Sequence, residues 1–329
     1  MSQVRSAEPE VDTLAPLDGD LRRVEGRTPW QLFWIRFKRD HVAVGAGVVV
    51  ALLVFFALVA PLFVSIFVHR GPNALDQNLT DSIGIPILGP SKTAWFGVDG
   101  IGRDVFVRTM YGARTSLMVS FIGTGLSLII GIVLGLLAGF RGGKIDTFIS
   151  RTIDIVLSLP LLLMAIGLSV ACGASIEGCA GGLIKTGVPL VIFIIALFGW
   201  PYVARIVRGQ TLSLREREFV EAARATGFGT WHIMLREIFP NMLASIIVVA
   251  TLLIPQNILF EAALSYLSVG IPPDTPSWGG MINDATEGSL YFVAWWMLIF
   301  PAGFLVITTL AFNLLGDGLR DALDPRSQR

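Results

Sequence analysis

The chain has 329 residues, of which 53% are hydrophobic and only 15% are charged, and its mean hydropathy is +0.68. Lys+Arg and Asp+Glu are equal at 25 each, so the chain lacks the basic excess of a nucleic-acid-binding protein. A water-soluble domain of this composition would expose large apolar patches and aggregate. The composition therefore predicts a protein that is surrounded mainly by lipid.

The N-terminal residues, 1–28, carry charges of both signs and have no apolar core of the length that a signal peptide needs. They predict a disordered cytoplasmic tail. Aromatic and basic residues follow in 29–41, which predicts a helix lying at the inner membrane interface before the first span.

Six runs without Asp, Glu, Lys or Arg predict six transmembrane helices. Each run has 19 to 29 residues, and about 20 apolar residues cross the hydrocarbon core as a helix. Helices are expected because backbone groups cannot stay unpaired in lipid. We therefore predict an all-α polytopic membrane protein. The runs are 42–68, 115–140, 155–176, 186–204, 238–260 and 288–316.

The basic residues predict the orientation, because Lys and Arg concentrate on the cytoplasmic side of a membrane protein. With both termini in the cytoplasm, the inner segments hold 19 Lys and Arg residues and the outer segments hold six. We predict that the chain divides into five segments. Residues 1–28 are a tail, 29–68 an interfacial helix with the first span, and 69–114 an extracytoplasmic segment. Residues 115–316 are a core with five spans that includes a cytoplasmic loop at 205–241, and 317–329 are a cytoplasmic C-terminal tail.

Small residues recur at every fourth position of the second predicted span. Helices associate in lipid where small residues let their backbones approach closely. The stripe therefore predicts a packing face, against this chain or a partner subunit, with the lining of a substrate path as the alternative. Its members are Gly123, Ser127, Gly131, Gly135 and Gly139.

Three polar residues lie in or beside the spans: Asp154, Asn257 and Glu261. An ionisable group there needs a partner, a cavity or the interface. Asp154 lies near the inner end of the third span and Glu261 near the outer end of the fifth. We expect both groups to lie near water, and neither is interpreted as a proton relay.

The outer segments offer two further features. Residues 99–114 predict an amphipathic helix on the outer surface, in which Arg103 beside Asp104 is interpreted as a solvated pair worth less than about 1 kcal/mol. The loop between the third and fourth spans holds both cysteines, Cys172 and Cys179. An oxidising exterior favours a local disulfide between them, and two free thiols are the alternative.

The inner segment 205–241 is too long and too charged for a simple connector. Helix-forming sequence is broken by Gly227 and Gly229, so we predict a helix–turn–helix that projects into the cytoplasm. Apolar residues stand among its charges, which predicts a docking surface for a soluble partner, while a plain basic loop is the alternative. These apolar residues are Phe219, Val220, Ala222 and Ala223.

Catalytic and nucleotide-binding motifs are absent from the sequence. The only Gly-Lys pair, Gly143-Lys144, is followed by Ile145 and not by the Ser or Thr of a phosphate-binding loop. The three histidines, His41, His69 and His232, are far apart. We therefore predict no catalytic, cofactor-binding or metal-binding residues on this chain.

A motif in the inner segment resembles a known family. Glu221-Ala222-Ala223, followed by Gly227, Ile238 and Pro240, resembles the EAA loop of ABC importer permeases. Four longer stretches, 36–50, 96–117, 265–282 and 312–326, resemble the C-type permease of peptide and nickel importers. Segment 69–95 is less familiar, and Trp95 and Val98 stand where that family usually has His and Thr.

The resemblance implies a type I importer permease that moves dipeptides or oligopeptides across the bacterial cytoplasmic membrane by alternating access. The implied partners are a B-type permease, two ATPase subunits or one fused ATPase, and an extracytoplasmic substrate-binding protein. ATP and Mg²⁺ would bind to the ATPase chains, so no cofactor is expected here.

The resemblance also implies roles for individual residues. A coupling helix at about 218–227 would contact the ATPase through Glu218, Phe219, Glu221, Ala222 and Ala223, with Gly227 at its turn. A second set would face the binding protein or gate the outer side: Arg103, Asp104, Arg108, Arg114, Pro272, Pro273 and Trp278.

Three alternatives stay open. The substrate could be nickel or another small solute of the same importer class. An ion-coupled secondary transporter would need ionisable residues inside the spans, and the span interiors carry none. A passive membrane scaffold is the third alternative.

Overall fold

The computed structural model of the chain describes residues 29–81, 85–173, 178–179 and 181–323. The predicted tail 1–28, residues 174–176 of the third predicted span and the C-terminal residues 324–329 lie outside the described residues. The helices are α1 (Pro29–Arg39), α2 (His41–Val68), α3 (Val105–Arg141), α4 (Gly143–Ser158), α5 (Leu161–Gly173), α6 (Val188–Leu214), α7 (Glu218–Ala225), α8 (Thr230–Tyr266), α9 (Trp278–Thr286) and α10 (Trp296–Leu323).

The all-α prediction is confirmed. Across the described residues, β-structure is limited to isolated bridges such as that between Val98 and Asp104. Five helices are long and apolar enough to cross a membrane, namely α2, α3, α6, α8 and α10. They correspond to five of the six predicted spans.

The third predicted span is not one straight helix. Instead, α4 and α5 meet at an angle of 86°. The bend lies at Leu159, which has extended backbone angles because the following Pro160 disfavours the helical conformation there. At about 1.5 Å per residue, the 13 residues of α5 rise only about 20 Å. The prediction of a single helix over 155–176 was therefore wrong.

The predicted surface helix in the segment 99–114 was also wrong. The first turns of α3 begin at Val105 and run without a break into the second span. Residues 99–104 form a tight loop before α3, in which Gly102 has a φ of +83° and lies so close to Asp76 that a Cβ would stand 2.3 Å from the Asp76 carbonyl oxygen. Asp104 ends the loop as the N-cap of α3, because its side chain accepts a hydrogen bond from the Val107 N–H.

The small-residue stripe of α3 packs against α6. A Cβ at Gly123 would meet Ile195, one at Gly131 would meet Val203, and one at Gly135 would meet Val207, each at 2.5–2.7 Å. Gly139 stands against Thr211 in the same way, and the Ser127 hydroxyl donates a hydrogen bond to the Ile195 carbonyl at 3.0 Å. Because the contacting positions advance together along both helices, α3 and α6 run parallel.

The remaining long helices surround this pair. The Asn257 amide of α8 donates a hydrogen bond to the Thr124 hydroxyl of α3 at 2.7 Å. Gly316 of α10 faces Leu252 of α8, and Gly318 faces Ala43 of α2. The short helices α7 and α9 lie at opposite ends of this bundle. These ends are called the α7 end and the α9 end.

Candidate functional site

The helix α7 is stabilised by its charge pattern. Glu218 and Glu221 lie in its first turn and Arg224 lies in its last turn, which is the favourable arrangement for the helix dipole. The guanidinium of Arg224 also lies 5.3 Å from the centre of the Phe140 ring on α3. This contact ties the short helix to the end of a membrane span.

Gly227 ends α7 in a Schellman motif. The Gly227 N–H donates to the Arg224 carbonyl, and the Phe228 N–H donates to the Ala223 carbonyl. This arrangement requires a left-handed residue after the helix, and Gly227 has a φ of +83°. A glycine is favoured here because other residues adopt this conformation at a cost.

One face of α7 packs into the chain's own core. Val220 is fully buried and Ala223 is 7% exposed, in a cluster with Val203 and Val207 of α6 and Ile238 of α8. The expectation that Ala223 contacts an ATPase was therefore wrong, because its side chain is covered by this chain. Its small size lets α7 lie close to the bundle.

The other face of α7 is open. Glu218, Phe219, Glu221 and Ala222 are all exposed, which a docking role requires. The exposed apolar surface extends beyond the predicted set to Phe228, Trp231 and Leu235, which are 48–54% exposed. The sequence EFVEAARATGFGTWHIML already contained these residues, and their signal is apolar side chains between charges on both sides of a glycine turn.

Ion pairs and hydrogen bonds fix the surroundings of α7. Arg208 of α6 forms a bidentate ion pair with Asp146 of α4. Arg205 pairs with Asp154 at 2.6 Å, and more than half of each side chain is exposed. Arg215 donates to the Gly139 carbonyl at 3.0 Å. These contacts join α3, α4 and α6 beside the open face of α7.

A buried network of four charges lies at the α9 end. Arg103 donates to Asp99 at 2.6 Å and to Asp284 of α9 at 2.9 Å. Arg108 lies 3.8 Å from each of the same carboxylates and is 2% exposed. The interpretation of Arg103 and Asp104 as a solvated pair was wrong, because Arg103 is buried and has other partners.

The network also holds a loop of the chain. Arg103 and Arg108 both donate to the Pro273 carbonyl, at 3.4 and 3.1 Å. Burial raises the pKa of the Asp284 carboxyl, while Arg103 and Arg108 act in the opposite direction. The four formal charges cancel. The two bonds to the Pro273 carbonyl hold the loop before α9 against Arg103 and against Arg108 of α3. Asp284 was missed because it lies 181 residues from Arg103 in the sequence, and Asp99, four residues before Arg103, was missed because 99–114 was interpreted as a surface helix.

A cavity of about 560 Å³ opens beside this network. The ends of α5, α6 and α8 form its walls together with the loop before α9. Three residues of the set predicted for the outer side, Pro272, Pro273 and Arg108, line the cavity, and Asp284 lies beside them. Half-buried and buried hydroxyls contribute a polar lining. The cavity can therefore accept a small polar group at the α9 end.

The other residues predicted for the outer side have different positions. Arg114 is exposed on α3. Trp278 was expected at a gate, but it is fully buried and donates a hydrogen bond from its indole N–H to the Thr109 carbonyl at 3.2 Å. Asp104 caps α3, and burial raises the pKa of its carboxyl against the effect of hydrogen bonds from the Val107 and Phe106 N–H groups.

The remaining predicted residues lie near the cavity. Cys172, at the end of α5, is joined to Cys179 by a disulfide with a Cα–Cα distance of 4.8 Å. Glu261 is fully buried, accepts a hydrogen bond from the Ser265 hydroxyl at 2.8 Å and faces Ser116 and Ser277. The expectation that Glu261 lies near water was therefore wrong.

Comparison with known families gives two matches on this chain. Residues 131–329 match the family described as "Binding-protein-dependent transport system inner membrane component". Residues 28–82 match the family described as "N-terminal TM domain of oligopeptide transport permease C". The first match covers more than half of the chain.

Individual relatives match over nearly the whole length. The chain is 37% identical to the oligopeptide transport system permease protein OppC of Bacillus subtilis, over 94% of this chain and 95% of that protein. It is 39% identical to the glutathione transport system permease protein GsiD of Pectobacterium atrosepticum, over 91% and 92%. It is also 39% identical to the dipeptide transport system permease protein DppC of Bacillus subtilis, over 90% and 85%.

The fold also matches solved structures. A structure of the MetNI methionine ABC transporter in an inward-facing conformation matches with a TM-score of 0.51 and 18% identity, over 65% of this chain and 94% of that chain. A second crystal form of the same transporter gives a TM-score of 0.50 and 21% identity. At this level of identity, the likeness shows a shared fold over about two thirds of the chain.

Proposed function

Since the chain belongs to the family of binding-protein-dependent transport system inner membrane components, we propose that it is the C-type permease of an ATP-driven peptide importer. Its relatives carry the names of oligopeptide, dipeptide and glutathione permeases, which supports a peptide substrate. The proposed location is the bacterial cytoplasmic membrane, with both termini and the α7 end in the cytoplasm.

The observation that carries the proposal is the divided surface of α7. Val220 and Ala223 fix the helix to the bundle, while Phe219, Glu221 and Ala222 are open to a partner. A partner that moves α7 would therefore move the ends of α3, α6 and α8, which share its core. We propose that this partner is an ATPase subunit, with ATP and Mg²⁺ bound on that chain.

The remaining partners belong to the rest of the assembly. A B-type permease would complete the translocation path, and the two permeases would expose it alternately to either side of the membrane. An extracytoplasmic binding protein would deliver the peptide to the α9 end. The cavity beside Pro272 and Pro273 opens at that end, which supports a role in receiving the peptide.

Reconstitution of the full transporter in vesicles tests the α7 assignment. Phe219→Ala removes an exposed aromatic ring, and Ala222→Asp adds a charge to the exposed face. We expect each variant to lower both peptide uptake and substrate-stimulated ATP hydrolysis about tenfold, because interface contacts of this kind contribute about 1–2 kcal/mol. Insertion into the membrane and assembly with the second permease should remain intact.

A matched control is available at the opposite end. Phe292 is 77% exposed at the α9 end, so Phe292→Ala removes an exposed ring without touching α7 and should leave ATP hydrolysis unchanged. Normal uptake and hydrolysis in both α7 variants would contradict the coupling role.

The substrate is tested separately, through the ligand of the binding protein that copurifies with the complex. A bound peptide supports the proposal, whereas nickel or another small solute contradicts the peptide assignment and leaves the α7 assignment intact. Uptake by this chain and its permease partner without any ATPase would instead identify a secondary transporter.

A further inference from the structure

Two adjoining cavities lie on the outside of the bundle at the α9 end. The first, called the apolar groove, has a volume of about 410 Å³ and runs between α2, α3 and α10. The second, called the basic recess, has a volume of about 110 Å³ and lies beyond the end of α2. Trp95 and Phe106 line both cavities, so the two form one continuous site with an apolar part and a charged part.

The apolar groove has the length and the lining of a site for a hydrocarbon chain. Its wall on α2 extends from Val49 to Phe63, a rise of about 21 Å at 1.5 Å per residue. The hydrocarbon of one leaflet is about 15 Å deep, so the groove covers that depth. Aliphatic and aromatic side chains line it, including Leu52, Met110 and Phe304.

The basic recess adds positive charge at the top of the groove. Arg70 and Lys92 line it together with Thr93. Lys92 is exposed and has no carboxylate within 4 Å among the described residues, and Arg70 contacts Asp76 only at 3.8 Å. Asp104 also lines the recess and attracts the Arg70 guanidinium, but the residue is only 5% exposed and its carboxylate accepts the Val107 N–H, which directs it to the α3 backbone.

Aromatic rings separate the charged part from the apolar part. Trp95 and Phe106 pack edge to face with their centres 4.7 Å apart, and Phe63 lies 6.2 Å from each of them. Tryptophan concentrates at the level of lipid head groups. The rings therefore mark the position where the membrane interface crosses the site.

We propose that this site binds an anionic phospholipid of the leaflet at the α9 end, which is the outer leaflet in the proposed orientation. The phosphate group lies in the basic recess beside Arg70 and Lys92, and one acyl chain lies in the apolar groove. Only six of the 25 basic residues belong to the predicted outer segments, and two of them line this recess. Their position over a lipid-facing groove gives them a ligand of complementary charge.

The charges at the top of the groove favour a lipid over a helix of a partner subunit. A transmembrane helix of a partner would carry apolar side chains to the level of the basic recess, where Lys92 would remain without a counter-charge, whereas a lipid phosphate supplies one.

Lipid retention by the assembled transporter tests the proposal. The complex is incorporated in membranes made of equal parts of phosphatidylglycerol and phosphatidylcholine, extracted, and its bound lipids are counted by mass spectrometry. We expect preferential retention of phosphatidylglycerol. Arg70→Gln with Lys92→Gln should reduce this preference roughly 30-fold, because each basic residue near an anionic lipid surface contributes about a fivefold change in binding.

The matched control removes the same charge elsewhere on the predicted outer side. Arg114 and Lys185 are exposed and line neither cavity, so Arg114→Gln with Lys185→Gln should retain the preference. An equal loss in both double variants would overturn the site, because it would show only a general surface charge effect.

A second pair of variants tests the apolar groove. Leu52→Trp should fill the groove and lower the retention of phosphatidylglycerol, whereas Leu58→Trp, at a position 71% exposed outside the groove, should not. A Leu52→Cys variant that crosslinks to the second permease would show that a protein covers the groove and would overturn the proposal. These readouts count lipids and crosslinks, so they do not depend on the substrate or on ATPase coupling.

Discussion

At the scale of single residues, Asp99 is the centre of the charged network at the α9 end. One of its carboxylate oxygens accepts the N–H groups of Ile101 and Arg103, and the other accepts the Arg103 side chain. The same group lies 3.8 Å from Arg108. Because all three charged side chains are at least 90% buried, each depends on the others for the compensation of its charge.

We expect Asp99→Asn to destabilise the chain by about 3–5 kcal/mol, since it leaves two buried guanidinium groups with Asp284 as the one carboxylate that remains within 4 Å of them among the described residues. The measurement is the midpoint of thermal unfolding in a fixed detergent. Asp154→Asn is the control with the same chemical change, because the Asp154–Arg205 pair is more than half exposed and such pairs contribute less than about 1 kcal/mol. Equal shifts in the two variants would contradict a buried, mutually dependent network.

The sequence predicts single residues well only where local spacing determines their environment. Gly227 could be assigned to a turn because a glycine after a helix is a local pattern. The burial of Arg103 could not be predicted, because its partner Asp284 is 181 residues away. Ala223 was assigned to the wrong face of α7, because a helix of eight residues with apolar side chains on two sides does not identify the side that faces the bundle.

At the scale of helices, α3 and α6 associate through two matched sets of residues four positions apart. The α3 set consists of Gly123, Ser127, Gly131, Gly135 and Gly139. The α6 set consists of Ile195, Gly199, Val203, Val207 and Thr211. The absent side chains of the glycines leave space for the branched side chains of α6, which explains how closely the two helices approach.

We expect Gly131→Ala to destabilise the chain by about 1–3 kcal/mol through overpacking. A Cβ at Gly131 would lie 2.5 Å from Val203 and 2.9 Å from the Trp200 carbonyl oxygen, so α6 would have to move. Gly125 belongs to the same helix and has nothing within 4 Å of a Cβ. Gly125→Ala is therefore the control, and it should be neutral or stabilising by up to about 1 kcal/mol in thermal unfolding, since alanine favours helices. If Gly131→Ala left the thermal unfolding midpoint unchanged, the packing of α3 against α6 would tolerate a wider separation of the two helices.

Apolar runs predicted five spans correctly because length and the absence of charge are sufficient for a straight helix in lipid. At the third span they missed a bend, because Pro160 breaks the helix there and leaves a bent pair that passes as one span, whereas Pro61, Pro201, Pro255 and Pro301 lie within continuous helices. The effect of a proline depends on whether neighbouring helices satisfy the freed backbone groups. The sequence of one segment does not contain that information.

At the scale of the whole molecule, the two ends have different chemistry. The α7 end has an exposed face on a helix that shares its core with three membrane helices, and Arg205 and Arg215 lie near it. The α9 end has a cavity, a buried charged network and a disulfide. An importer of this kind needs ATP at the first end and an extracytoplasmic delivery protein at the second. The proposed function therefore requires one orientation in the membrane, which the excess of basic residues also predicts.

Chemical labelling tests this orientation directly. In a background with Cys172→Ser and Cys179→Ser, single cysteines are placed at two exposed polar positions, Asn78 near the α9 end and Thr230 at the α7 end. A membrane-impermeant maleimide should label Asn78→Cys in intact spheroplasts, and it should label Thr230→Cys only after the membrane is opened, because the α7 end then lies in the cytoplasm. Labelling of both variants after opening controls for reactivity. The reverse pattern would place α7 outside the cell, away from ATP, and would contradict both the coupling role and the positive-inside assignment.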